Sequence, residues 1–332
     1  MRVLLVSPAF HGYWLSISRA LEHQGHSVTP AIYGRFDTVR AKAKNKLLSE
    51  LPDRLGTRAG TRYAMRQATE LALKQLQAAR IDAALVVKGD LLLDAFWDKL
   101  ESRGVPAVLW LYDELRRTHH RTESLSRPRH VATYARTDAQ ALADRGLSCS
   151  YVPLAFDPDL PTSRRDENAV VFVGARYPER ERLLMLLHRS GLPVVAYGRE
   201  WSPRWRDRVR CWQLRRPDVP GRPDVERDAA LGIFQGAAAG INIHGDQDGF
   251  NIRTFEVPGA GGLQLIDRRD VAEVYEPGVE VVTFGNDEEL IELAGRAFRD
   301  RAWSRRIREA GRARTLAEHT FGPRVRELLS AL

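Results

Sequence analysis

The sequence predicts an α/β fold made of two units, each built on an open parallel sheet. Three observations lead there. Short apolar runs alternate with helix-spaced stretches, beginning with a strand over 2–7 and a helix over 13–24. The 332 residues are 43% hydrophobic, enough for two cores, since a domain commonly holds about 100–150 residues. The alternation also restarts, because residues 162–168 are polar and charged and a fresh strand, turn and helix follow them. The expected bounds are 1–160 for the first unit, 168–318 for the second, and 319–332 for a closing helix.

In the first unit, residues 8–12 form a loop whose Gly12 lets backbone approach a ligand. Gly25 closes the first helix, and 27–33 is a second strand. This opening lacks G-x-G-x-x-G, so a dinucleotide does not follow from it. Further strands are expected at 81–87, 105–112, 130–134 and 150–154, with helices at 91–102 and 138–145. Asp113 stands just past a strand's carboxyl end, where open α/β sheets bind ligands. His119 is the nearest imidazole, and these two are the candidate catalytic residues. His120 is adjacent to His119 and so points to a different side of the segment.

In the second unit, a strand over 169–173 leads to Gly174, Arg176 and Arg180 at a strand-to-helix turn suited to a phosphate. Strands at 194–197, 240–243 and 279–284 and helices at 181–190, 229–238, 287–299 and 304–318 continue the pattern. Residues 201–224 have no period and read as a surface loop in which Trp201, Trp205 and Trp212 pack.

Composition excludes several classes. No run of 18 apolar residues exists, so no membrane span is expected. The opening MRVLLVSPAF is too short an apolar run for a signal peptide. Cys149 and Cys211 lack metal or redox spacing and read as free thiols of a reducing cytoplasm, and the histidines do not cluster as metal ligands. Net charge is +8, with 23 Lys/Arg against 15 Asp/Glu in residues 1–150 and 28 of each thereafter. Residues 35–80 alone hold eleven basic and four acidic side chains. There Arg54, Arg58, Arg62 and Arg66 recur at every fourth position, which aligns them on a helix, although Gly56 and Gly60 interrupt it. A solvated face and a surface for a polyanion both fit this pattern.

The most informative stretch is 248–267, DGFNIRTFEVPGAGGLQLID. Pro258 is tolerated near a helix start, which places Asn251, Arg253 and Glu256 at a helix N-terminus where an anion is favoured. Arg253 can clamp a phosphate with its planar fork, and Glu256 can accept hydrogen bonds from the vicinal hydroxyls of a ribose. The combination points to a nucleoside diphosphate.

An acid, seven residues, Glu256, a small-residue turn and a strand resemble the donor motif of the family-4-like GT-B glycosyltransferases. Asp248 stands where that family usually has Glu. NIRTFE, residues 251–256, is similar to the spore-maturation (CgeB-like) branch, as are Lys88-Gly89 at one strand end and Trp110-x-x-Asp113 at the next. The resemblance implies a GT-B enzyme whose two Rossmann-like domains face each other across a cleft, with the closing helix crossing back to the first. It implies a nucleoside-diphosphate sugar (UDP- or GDP-linked) in the second domain, an acceptor in the first, no metal, no cofactor, and retention of configuration. Donor contacts then fall to Gly12, Gly174, Arg176, Arg180, Asp248, Asn251, Arg253 and Glu256. Arg54, Arg58, Arg62 and Arg66 would bind an anionic acceptor. DNA with a hydroxymethylated base is one such acceptor, and it would have to be flipped out to react. A non-catalytic nucleotide-sugar or polyanion binder is the remaining alternative.

Overall fold

The computed structural model describes residues 1–35, 48, 52, 57–212, 215 and 217–332. The chain divides into two compact units, Met1–Leu154 with Phe321–Leu332, and Ala155–Thr320.

The first unit contains β1 (Arg2–Pro8), α1 (Tyr13–His23), β2 (Ser27–Tyr33), α2 (Ala59–Ala78), β3 (Ala83–Val87) and α3 (Asp94–Ser102). Then come β4 (Ala107–Leu111), the single turn α4 (Thr122–Leu125), β5 (His130–Thr133), α5 (Arg136–Ala143) and β6 (Cys149–Tyr151). The strands form one parallel sheet in the order β2-β1-β3-β4-β5-β6. β3 and β4 are buried along their full length, as AALVV and AVLWL must be when helices cover both faces. The order reverses between β1 and β3, the switch point where such sheets open a crevice at the strands' carboxyl ends. The closing helix, Phe321–Ser330, belongs to this unit, burying Phe321, Val325 and Leu328. It meets α1, whose Gln24 side chain donates to the Gly322 carbonyl at 2.7 Å.

The second unit contains β7 (Glu167–Val173), α6 (Pro178–Arg189), β8 (Val194–Tyr197), α7 (Trp205–Cys211), β9 (Gly221–Arg222), α8 (Arg227–Gly236) and β10 (Ala237–Asn242). It continues with α9 (Arg253–Gly259), β11 (Gln264–Ile266), β12 (Val282–Thr283), α10 (Asp287–Arg299) and α11 (Arg301–Glu318). The final helix of the chain, already described, is α12. The sheet is parallel in the order β12-β11-β10-β7-β8-β9, with its switch point between β7 and β10. Alternate residues of β7 enter two cores, Val170 and Phe172 on one face, Ala169, Val171 and Val173 on the other.

Several expectations need correction. Residues 201–224 are not all loop, since α7 and the short edge strand β9 lie within them. Trp201 is fully buried and donates to the Gly174 carbonyl at 2.9 Å, but Trp205 and Trp212 are 64% and 58% exposed and pack little. The strand expected at 279–284 shrinks to two residues, because a turn through Gly278 (φ +82°) occupies its start. Residues 162–168 lie against α8, where Arg165 N–H reaches Gly232 O at 2.9 Å, and β7 already begins at Glu167. Arg54 lies outside the described residues. Arg58 precedes α2 in a left-handed conformation, so only Arg62 and Arg66 align on that helix. No helix among the described residues is long and apolar enough to cross a membrane.

α11 rests on α9 through Gly311, where an added Cβ would lie 2.3 Å from the Glu280 carbonyl oxygen and 3.2 Å from Pro258. Alanine in place of glycine favours a helix interior by about 1 kcal/mol. Here the backbone contact outweighs that gain, as overpacking costs about 1–3 kcal/mol. Gly311→Ala should therefore lower the denaturation midpoint, and a raised midpoint would show that α11 can lift from its seat.

Candidate functional site

The 248–267 stretch sits at the switch point of the second sheet. α9 buries every residue from Thr254 to Gly259. Pro258 is the sixth of its seven residues rather than an early one, so its missing N–H leaves the Thr254 carbonyl without its helical donor. The Gln264 side chain, first in β11, supplies a donor at 3.4 Å.

Glu256 is the centre of this helix and is fully buried. Arg227 Nε, from α8, donates to its Oε1 at 2.5 Å, and Arg253 Nη1 donates to its Oε2. Burial pushes the Glu256 carboxyl up, but the Arg253 and Arg227 guanidinium groups more than offset this and hold it below its ordinary 4.5. Sequence reasoning expected an open carboxylate facing a ribose. Both oxygens instead hold arginines, and Arg227, 29 residues upstream in another helix, had no local signal.

Two arginines mark the ends of the switch-point strands. Arg253 Nε approaches the Val173 carbonyl at 3.4 Å, and Arg180 Nε donates to the Ile243 carbonyl at 3.0 Å. Val173 is the last residue of β7, and Ile243 directly follows the last residue of β10. Arg180 also lies over the Phe172 and Tyr177 rings. Gly174 follows β7, with the Phe172 ring 3.2 Å from where a Cβ would stand. Arg176 is engaged elsewhere, its Nε and Nη2 bound to Glu181 at 3.1 and 2.6 Å and its side chain 7% exposed. The structure thus places Arg180, Arg253 and Gly174 near one another, while Arg176 ties down the first turn of α6.

Beside them is a polar network. Asn251 Nδ2 donates to Asn242 Oδ1 at 2.8 Å, and Asn242 Nδ2 donates to Thr254 Oγ1 at 3.1 Å. The buried His244 binds Asp267 through Nδ1 at 2.8 Å, and Asn251 N–H approaches Nε2 at 3.4 Å. A backbone N–H can only donate, so Nε2 carries the lone pair and Nδ1 the proton. Asp248 is half-buried in the loop before α9, and its charge reaches Arg268. A concave surface of about 540 Å³ with Arg164, Arg301, Arg305 and Arg308 lies at the opposite, amino-terminal ends of β7 and β10. Arg308 there is pushed down to about 10 by burial, with Arg164 adding to it, and its donors are spent on backbone carbonyls and Ser304.

In the first unit, Gly12 (φ +68°) is the left-handed residue that starts α1. Asp113 is paired with Lys88 at 2.6 Å. His119 is exposed, whereas its neighbour His120 turns inward, its Nε2 2.6 Å from the Lys88 carbonyl. Adjacency alone gave no means of choosing between the two. Arg58, Arg62 and Arg66 are exposed. No group of three or more His, Cys, Asp or Glu able to hold a metal ion occurs among the described residues.

Two six-stranded parallel sheets, each with its own helical layers and switch point, make this a GT-B fold of the glycosyltransferase type. The chain is similar in structure to sucrose-phosphate synthase from Thermosynechococcus elongatus (14% identity, TM-score 0.64, all of both chains covered). It is similar to Anabaena HepE solved with UDP and glucose (14%, 0.61, all of both chains). A third such structure is AviGT4, a glycosyltransferase involved in avilamycin A biosynthesis (16%, 0.60, 100% of this chain and 96% of that one). Residues 176–330 match the family described as glycosyl transferase-like. That match and the architecture together support a sugar-transfer enzyme. None of the curated proteins matches the chain in sequence.

The buried pairing of Glu256 has a measurable consequence. Removing one member of a buried ionic group typically costs about 3–5 kcal/mol, because its partners are left charged and dry. Glu256→Ala should cost about that much in chemical denaturation, not merely lose a ligand contact. Its depressed carboxyl contributes stability that is present above pH 4.5 and lost as pH falls through its lowered value. Glu256→Gln should remove that acid-dependent component, and an unchanged stability–pH curve would contradict the pairing.

Proposed function

We propose that the protein transfers a glycosyl group from a nucleoside-diphosphate sugar, bound by the second unit, to an acceptor bound by the first. One observation carries this reading. Arg253 and Arg180 are anchored on the carbonyls of Val173, which ends β7, and Ile243, just past β10, at the switch point where an α/β sheet binds its ligand. Two guanidinium groups fixed there suit the two phosphates of a departing diphosphate, whose developing charge they would stabilise as the bond to the sugar breaks. In this role Glu256 holds Arg253 and Arg227 in place, and it reaches a ribose only by exchanging one of those partners. Asp248 and Asn251 are assigned to the sugar or phosphate, and Gly12 and Gly174 to close backbone approach. Arg176 acts on the diphosphate only if Glu181 releases it. The NIRTFE sequence favours the CgeB-like branch, and retention of configuration is carried over from the family-4-like enzymes. HepE has been solved with UDP-glucose, which makes that the first donor to try.

A second reading concerns the acceptor. Arg58, Arg62 and Arg66 are exposed, consistent with an anionic acceptor such as DNA bearing a hydroxymethylated base. Arg62→Glu with Arg66→Glu should then weaken DNA retention. Each lost phosphate contact should flatten the slope of log affinity against log salt by about 0.7–0.9. Identical retention and slope in the double mutant would return the three arginines to a solvated face.

The donor reading is tested by thermal shift with UDP-glucose and GDP-glucose, since a ligand of the native state raises the melting temperature. Arg180→Ala removes charge-assisted hydrogen bonds worth about 1.5–3 kcal/mol, so donor affinity should fall about ten- to hundredfold. Donor hydrolysis and transfer should persist in EDTA. A wild-type protein that binds neither nucleotide sugar, or whose activity is abolished by chelation and restored by magnesium, would overturn the proposal.

A further inference from the structure

The second unit holds a basic cleft at the amino-terminal ends of β7 and β10, away from the donor site at their carboxyl ends. β7 has seven residues, so at ~3.3 Å per residue its two ends stand about 20 Å apart. One wall of the cleft is α11. Arg301, Arg305 and Arg308 fall at i, i+4 and i+7 and therefore share one face of that helix. Another wall is the segment 163–166, seated on α8. A Cβ on Gly232 would lie 2.0 Å from the Ser163 carbonyl oxygen, and one on Gly236 would lie 1.9 Å from that of Arg165. These two close approaches fix the backbone on either side of Arg164.

Arg308 is half-buried and lacks a counter-charge. Its Nε donates to Ser304 Oγ at 3.0 Å, and its Nη1 and Nη2 donate to the carbonyls of Gln235, Gly261, Ala237 and Ala238 at 2.6–3.3 Å. These partners satisfy its N–H groups but bring no negative charge. Burial therefore holds the guanidinium down to about 10, and the Arg164 charge adds to this. Arg301 and Arg305 are exposed, and neither side chain has an ion pair or hydrogen bond among the described residues. The carboxylates lining the cleft are Asp166 and Glu167, and both are engaged. Asp166 receives Arg164 Nε at 2.9 Å, and Glu167 receives the Tyr197 hydroxyl at 2.5 Å. Four guanidinium groups thus share the cleft with two carboxylates.

We propose that this cleft is a second anion site, distinct from the donor site, which takes a polyphosphate chain, whether inorganic or carried by a nucleotide. Charge selects an anion, because a half-buried guanidinium without a counter-charge is stabilised by a negative group brought near it. Spacing selects more than one phosphate. Arg301 and Arg305 stand one helical turn apart, about 5–6 Å between Cβ atoms, and their planar forks match phosphate oxygens bidentately. Arg164, on the other wall, is held by an exposed pair with Asp166 that competes weakly with a phosphate. The space, about 540 Å³, is more than a single phosphate fills and lies in the range of small-molecule sites. Ala297 and Phe298 add an apolar surface on which the base of a nucleotide can rest. The site does not depend on the glycosyl-transfer reading.

The experiment is isothermal titration of the full chain with sodium tripolyphosphate and with ATP, with sodium sulfate at equal ionic strength as the reference. A phosphate chain can also enter the donor site, so each titration is run on Arg180→Ala as well as on the wild type. Tripolyphosphate should still bind Arg180→Ala, and it should still bind the wild type in excess UDP-glucose. Adding Arg301→Gln and Arg305→Gln to Arg180→Ala should weaken it about tenfold or more, because each removes charge-assisted hydrogen bonds to the ligand. Both positions are exposed, so the melting temperature without ligand should stay where it is. Equal or tighter binding of tripolyphosphate than of ATP would assign recognition to the phosphate chain alone, and tighter binding of ATP would add the base; either supports the site. Three results would overturn it: loss of binding in Arg180→Ala, equal affinity with and without the two glutamine substitutions, or an affinity no higher than that of sulfate. A wild type that binds tripolyphosphate but not UDP-glucose would sink the donor reading and leave the cleft standing.

Discussion

Most of the second unit's site depends on one buried charge. Glu256 holds Arg227 and Arg253 at once, joining α8 to α9, and Arg253 in turn reaches the end of β7. Desolvating three charged groups is unfavourable, so the arrangement contributes little stability as a whole compared with apolar packing. What it provides is position. With its carboxylate partner fixed, the Arg253 guanidinium loses little further freedom when a second anion arrives, which is the sense in which a site is preorganised.

Around that charge the helix is held by close contacts that side chains would forbid. Gly259 lies where a Cβ would meet the Phe156 ring at 2.5 Å, and Gly311 brings α11 down onto Pro258. Phe255 packs against His319 and Tyr275, and His319 is bound to the Val274 carbonyl at 2.8 Å. A seven-residue helix has too few internal hydrogen bonds to be stable alone, so its orientation comes from these neighbours.

The repeated strand-and-helix pattern was legible because apolar periodicity is local: β1, β2 and β8 and the helix Asp287–Arg299 lie where the residues place them. The same holds for Arg180, Gly174 and Arg253, which follow strand ends or open helices. What was not legible depended on partners distant in sequence. Nothing near Glu256 announces Arg227, and nothing near Pro258 announces that Gln264 will complete its helix. The tandem histidines show the limit at its smallest scale, since only the fold decides that His120 turns toward Lys88 while His119 faces solvent. The tryptophans of 201–224 failed for a different reason. Large apolar residues are usually buried, but Trp205 and Trp212 sit on a short helix and at its end, where both are largely exposed.

The Gln264 bond to the Thr254 carbonyl links the register of β11 to that of α9 across the turn at Gly261 and Gly262. Three residues after Gln264, Asp267 receives His244. A strand slipped by one residue turns every side chain to its other face. An insertion or deletion in that turn would therefore undo both contacts together, exposing the helix carbonyl and releasing the histidine. Surface turns ordinarily vary freely in length among related proteins, but this one acts as a fixed spacer. Its residue count is a constraint separate from its composition, and it would have to be kept in any graft of the site onto another scaffold.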